Sequence, residues 1–245
     1  MMREECDVKF PQWLVDRVLA RQGILHPYDV LDATRTAFVV VDLQNYYTQP
    51  GFQGQCAAAP ATFAAVNRLA NALRAAGGLV VWIQTCSDGA DRFWSHHHRH
   101  MLTPERSERR LRELSAGHEG YALAPGLDVD AVDVRVPKRC YSALAPGSST
   151  LHDVLDGRGI RNVLIGGTAT NVCCESTARD AMMMDYVTIM VHDTLSSFTE
   201  QEHVNALHNW MLYFGDVLGT QEVLDRLVPA VPPLTEEAAA GAVTG

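Results

Sequence analysis

Three adjoining stretches decide the fold: AFVVV (37–41), TFAAVNRLANALRAAGG (62–78) and GLVVWI (78–83). The outer two are short, continuous apolar runs rich in β-branched residues, the pattern of strands buried on both faces. In the stretch between them, Phe63, Val66, Leu69 and Leu73 share one helical face, and Gly77–Gly78 supplies a stop. The three predict a β-α-β unit with a right-handed crossover.

The alternation continues downstream. AVDVRV (131–136) predicts a strand, SSTLHDVLDG (148–157) a short helix and NVLI (162–165) a strand. A helix is predicted over about 173–184, a strand at YVTIMV (186–191), a helix over about 200–213 and a short strand at DVLG (216–219). Strands alternating with helices imply a parallel sheet covered on both faces. The chain therefore reads as an extension (1–35), an α/β domain (36–230) and a flexible tail, VPPLTEEAAAGAVTG (231–245). Residues 87–126, with SHHHRH and PERSERRLREL, have few strand formers and read as an excursion over the active face.

Composition narrows the function classes. The chain has 245 residues, 47% of them hydrophobic, enough for a substantial core. A formal charge of −9 argues against nucleic acid as the main partner. No window approaches the roughly 18 uninterrupted apolar residues of a membrane span, and the charged start MMREECDVKFPQW is unlike a secretory signal. Cys6, Cys56, Cys86, Cys140, Cys173 and Cys174 contain no CxxC spacing and are too scattered for a disulfide framework, so a reducing cytoplasm is the expected compartment. GxSxG, P-loop and GxGxxG motifs are absent.

Ligands of open parallel sheets bind beyond the carboxyl ends of the strands. Asp42 follows AFVVV, Lys138 follows AVDVRV, and Cys173 follows NVLI through a turn of small residues into a helix. A helix start offers free N–H groups and partial positive charge to a thiol and to an oxyanion. Each residue also has an ordinary reading: Cys173 as a buried structural thiol, Asp42 as a turn or cap, Lys138 as a solvated charge. Cys174 projects about 100° away from Cys173 on a helix, so one of the two faces the crevice. His96, His97, His98 and His100 suggest a metal by composition, but consecutive side chains diverge, and a solvated loop cluster is expected.

At VVVDLQNYY (39–47), PKRCYSAL (137–144) and GGTATNVCCESTARDAMMMDY (166–186) the sequence resembles the isochorismatase-like cysteine hydrolases, from about Thr36 to Leu227. The resemblance implies a three-layer α/β/α sandwich around a mostly parallel, roughly six-stranded sheet. It implies a catalytic triad at Asp42, Lys138 and Cys173, a cis peptide at Thr168–Ala169, and an oxyanion hole from the backbone N–H groups of Ala169 and Cys173. Tyr47, Tyr141, Gln44 and Thr85 are expected to contact substrate. The nicotinamidase branch carries an Asp-x-His metal motif where this chain reads QTCSDGADRFW (84–94), so no metal or other cofactor is expected. The motifs look closest to the ureidoacrylate and biuret hydrolase branch. The implied activity is cleavage of a C–N bond in a small linear amide, carbamoyl or ureido compound through a thioester. Alternatives are a nicotinamidase-like amidase, a hydrolase of an isochorismate-like acid, and a pseudoenzyme that only binds. A homo-oligomer, dimer or tetramer, is expected.

Overall fold

The computed structural model describes residues 9–229. The sequence reading of 231–245 as a tail lies outside the described residues. The chain opens with helix α1 (Gln12–Gln22) and a short strand β1 (Leu31–Asp32) before the first long strand, β2 (Thr36–Val41). A single turn, α2 (Asn45–Thr48), precedes helix α3 (Phe63–Ala75) and strand β3 (Leu79–Thr85). The excursion holds α4 (Ala90–Phe93), a π-turn at His97–Met101 and α5 (Pro104–Glu113). Then follow β4 (Val134–Lys138), α6 (Leu151–Asp156), β5 (Asn162–Thr168), a π-turn at Thr170–Cys174, α7 (Glu175–Met183) and β6 (Val187–Ser196). Helix α8 (Glu200–Tyr213), β7 (Asp216–Leu218), α9 (Thr220–Arg226) and β8 (Leu227–Val228) close the fold.

Six strands form one sheet in the order β4-β3-β2-β5-β6-β7, every pair parallel. The chain builds outward from β2 in one direction, then crosses back to start again at β5. The β2–β5 seam is therefore the switch point, where diverging connections leave a crevice beyond the carboxyl ends.

Alternation along the central strands divides the core into two layers. Ala37, Val39, Val41, Val81 and Ile83 pack with α1, α6, α7 and α8 through residues such as Leu14, Leu155, Leu207 and Trp210. Phe38, Val40, Val80 and Trp82 pack on the other face against Val66, Leu69 and Leu73 of α3 and Val223 of α9. Both faces of β2 and β3 are buried along their whole length, which is why their sequences are apolar without alternation.

Several boundaries differ from the sequence reading. Strand β4 starts later than 131 and ends on Lys138 itself, so the lysine is held by sheet pairing to Thr85. Strand β5 continues through Gly166, Gly167 and Thr168, which read as turn residues. Gly167 has φ +112°, and a Cβ there would lie 2.0 Å from the Val41 carbonyl oxygen. Only glycine lets β5 approach β2 this closely. The helix expected from 173 begins at Glu175, because Thr170–Cys174 winds wider than an α-turn. The α6 helix is shorter than 148–157, and β6 runs on to Ser196. Helix α1, unforeseen, buries Leu14 and Val18 and joins the main core.

Candidate active site

Asp42, Lys138 and Cys173 meet at the switch point. Asp42 leaves β2 with φ +58°, a left-handed conformation that aspartate tolerates better than most residues, and the chain turns there. Its Oδ1 accepts hydrogen bonds from the Thr85 backbone N–H (3.0 Å) and the Thr85 hydroxyl (2.8 Å), while Oδ2 faces Lys138 Nζ at 2.8 Å. Lys138 Nζ also donates to Thr85 Oγ1 (2.6 Å), to the Cys140 carbonyl (3.1 Å) and to Cys173 Sγ (3.5 Å). Asp42 and Lys138 are fully buried, and Cys173 retains a sliver of exposure.

Burial sets the charge states. It pushes the Cys173 thiol up to about 12; Lys138 opposes this and Asp42 adds to it, so the resting thiol is neutral. Burial opposes the charge on Lys138, but Asp42 more than offsets it, and its proton is held more tightly than in water. The arrangement is a buried carboxylate–ammonium pair with a protonated thiol at its side. Such a carboxylate is placed to accept the thiol's proton, while the ammonium stabilises negative charge formed nearby.

The two cysteines part company. Cys173 faces Lys138 and the cavity, whereas Cys174 Sγ lies against the Gly166 carbonyl at 3.7 Å and is wholly buried. The peptide joining Thr168 and Ala169 is cis. Among the described residues the Ala169 N–H has no hydrogen-bond acceptor.

A cavity of about 240 Å³ opens above Cys173, walled by Tyr47, Tyr141, His97, Arg110 and Phe198 among others. Tyr47 and Tyr141 line it; Gln44 and Thr85, expected beside them as substrate contacts, do not. The Gln44 amide donates to the carbonyls of Thr85 (3.1 Å) and Tyr121 (2.9 Å), and its oxygen accepts from the Thr85 N–H (2.8 Å). Thr85 thereby braces Asp42 and Lys138, and Gln44 in turn braces Thr85.

Half of the histidine cluster departs from the solvated reading, while His96 and His100 are exposed as expected. His97 and His98 are buried rather than solvated. His97 stacks on Trp94 (centroids 4.1 Å, 10° between planes) and meets the Tyr141 ring edge-on. His98 Nδ1 shares a hydrogen bond with Ser107 Oγ at 2.9 Å. Burial, with the charge of Arg110, lowers the His97 pKa to about 4, so the His97 ring itself is neutral. Among the described residues no three His, Cys, Asp or Glu side chains are grouped as metal ligands.

The sequence reading missed Arg110 and His97 as cavity residues. One signal for the arginine was present: Arg106 and Arg110 stand four apart on α5, a like-charge pairing that disfavours an isolated helix.

The model of the Isochorismatase domain family matches residues 36–222. The chain belongs to the isochorismatase family. An isochorismatase-family relative, the ureidoacrylate amidohydrolase RutB of Azorhizobium caulinodans, is 34% identical over 212 residues, covering 81% of this chain and 92% of its own. A cysteine hydrolase from Pseudomonas syringae pv. phaseolicola superposes with a TM-score of 0.71 at 25% identity, over 80% of this chain and 93% of that one. The N-carbamoylsarcosine amidase of Thermoplasma acidophilum shares the isochorismatase-family fold, with a TM-score of 0.59 at 21% identity over 76% and 96% of the two chains. No described helix is long and apolar enough to cross a membrane.

Proposed function

We propose that this isochorismatase-family protein is a cysteine-dependent amidohydrolase that cleaves a C–N bond in a small linear amide, carbamoyl or ureido compound. The observation that carries the reading is the neutral Cys173 thiol, open to the cavity and 3.5 Å from the ammonium of a buried Lys138–Asp42 pair. Similarity to a ureidoacrylate amidohydrolase supports the same bond type.

In this mechanism Asp42 takes the Cys173 proton as Sγ attacks the substrate carbonyl, forming the S–C bond. Negative charge moves to the carbonyl oxygen, which the N–H groups of Ala169 and Cys173 receive. Collapse breaks the C–N bond, and the proton held on Asp42 leaves with the nitrogen as ammonia or an amine. Asp42, again a carboxylate, takes a proton from water as its oxygen attacks the thioester. The carboxylic or carbamic acid departs, and the thiol is restored. Lys138 keeps Asp42 in position and offsets each negative charge without giving up its proton.

The test is ammonia release across nicotinamide, biuret, ureidoacrylate, N-carbamoyl amino acids and maleamate, with mass spectrometry of the protein quenched during turnover. An adduct on Cys173 of the acyl mass, together with released ammonia, is the expected result. Ammonia release that persists in Cys173→Ala, or no turnover of any linear amide, overturns it.

A further inference from the structure

The cavity contains a cation without an anion. Arg110 reaches it from α5 and is half-buried there. Its guanidinium carries five N–H donors and keeps its charge at any ordinary pH. Among the described residues its hydrogen bond is a long one, to the Tyr47 hydroxyl (3.4 Å), and its ring contact is with Tyr46, 5.8 Å from the centroid. Three other arginines, one of them on the same helix, have carboxylate partners. Arg109 on the same helix pairs with Glu113, Arg74 with Asp133 and Arg179 with Glu175. No carboxylate pairs with Arg110 among the described residues, and the cavity lining contains no acidic side chain. Arg106, one turn back along α5, adds a second positive charge to the same lining.

A half-desolvated guanidinium whose one hydrogen bond is to a neutral tyrosine has lost water without gaining a counter-charge. Its fork fits a planar carboxylate with two parallel hydrogen bonds. The chain's overall charge of −9 makes this local positive wall a built feature rather than a reflection of composition. Arg110 and Cys173 line one cavity, and the field of the arginine acts on the thiol. A substrate spanning the two would place its scissile carbonyl at Sγ and an anionic group at the guanidinium.

We infer that Arg110 is a substrate-binding and specificity-determining residue that receives a carboxylate at the far end of the substrate, so that ureido or carbamoyl acids are taken in preference to neutral ureas and amides. This rests on the amidohydrolase reading for the identity of the reacting end, but the anion site itself is testable without turnover.

The probes are 3-ureidopropionate and butylurea, which share the ureido end and differ in the charge of the other. Calorimetry on the Cys173→Ser protein is expected to show at least 10-fold tighter binding of ureidopropionate. With Arg110→Gln added, the ratio between the two ligands should fall close to one. Arg110→Lys, which keeps the charge and loses the fork, should retain part of it and guards against a misfolded glutamine variant. In the unmutated enzyme the same ratio should appear in kcat/KM, mainly through KM. Equal binding of the two ligands, binding of neither, or a ratio that survives Arg110→Gln overturns the inference. Discrimination without ammonia release would refute the amidohydrolase reading and leave the anion site standing. Turnover of both ureas without discrimination would do the reverse.

Discussion

Replacing Lys138 with methionine removes the ammonium and leaves Asp42 charged, fully buried and without its counter-ion. At 2.8 Å the pair's attraction is about 6 kcal/mol for an effective dielectric constant near 20, against which desolvation of both groups must be set. Breaking one side of such a pair typically costs about 3–5 kcal/mol. For a chain of this size each kcal/mol lowers Tm by about 2–4 °C, so a fall of roughly 6–20 °C is expected by calorimetry or circular dichroism. Loss of preorganised charge beside the thiol should also lower kcat about 10²–10³-fold, with KM changing much less. Adding Asp42→Asn removes the stranded charge. The double variant should recover at least half of the lost Tm, because deleting both partners costs less than deleting one. It should nevertheless remain inactive, because the base is gone. A Lys138→Met protein with wild-type kcat, or a double variant no more stable than the single, would refute the reasoning.

Cys173→Ser should abolish turnover with the fold intact, whereas Cys174→Ala should keep most activity and lose some stability, as the thiol it removes is packed against Gly166; inactivation by Cys174→Ala alone would reverse the assignment. Activity should survive dialysis against a chelator; loss that zinc or iron restores would sink the cofactor-free mechanism. The hydrogen bond to Asp216 Oδ1 (2.8 Å) raises the His26 pKa, followed by burial, which lowers it, and the Asp216 charge, which raises it. A raised folded-state pKa means that His26 contributes its full stabilisation below the unfolded value of about 6.5 and loses it as pH rises through the folded value. The Tm difference between wild type and His26→Gln should therefore shrink on going from pH 6 to pH 9, and a constant difference would contradict the ion pair.

The sheet was legible because its central strands are buried on both faces. Runs such as AFVVV and NVLI are too short for a buried helix and rich in β-branched residues, and helices in between announce themselves by period. Strand ends were less legible. Gly166, Gly167 and Thr168 belong to a strand although their composition is that of a turn, since close approach to Val41 forces glycine into the sheet. Asp42, Lys138 and Cys173 were visible because a parallel sheet delivers the ends of its strands to one place. Gln44 and Thr85 were placed in the right neighbourhood, but their hydrogen bonds to the residues behind the cavity were not foreseen. Whether a polar side chain meets substrate or the residue behind it depends on which way a hydrogen bond is directed, and spacing does not encode that. Arg110 and His97 come from the excursion, whose position over the cavity is set by tertiary packing rather than by any local period.

The raised pKa of Cys173 has a consequence for how the protein ages. With its pKa pushed well above the ordinary thiol range by burial, almost none of it is ionised at pH 7. Peroxides and alkylating agents react with the thiolate, so they find almost nothing to attack at rest. In the proposed mechanism, the nucleophile comes into being only in the step that uses it. Among the described residues, the partly exposed Cys86 and Cys140 are more accessible to slow oxidation in air than the buried Cys173.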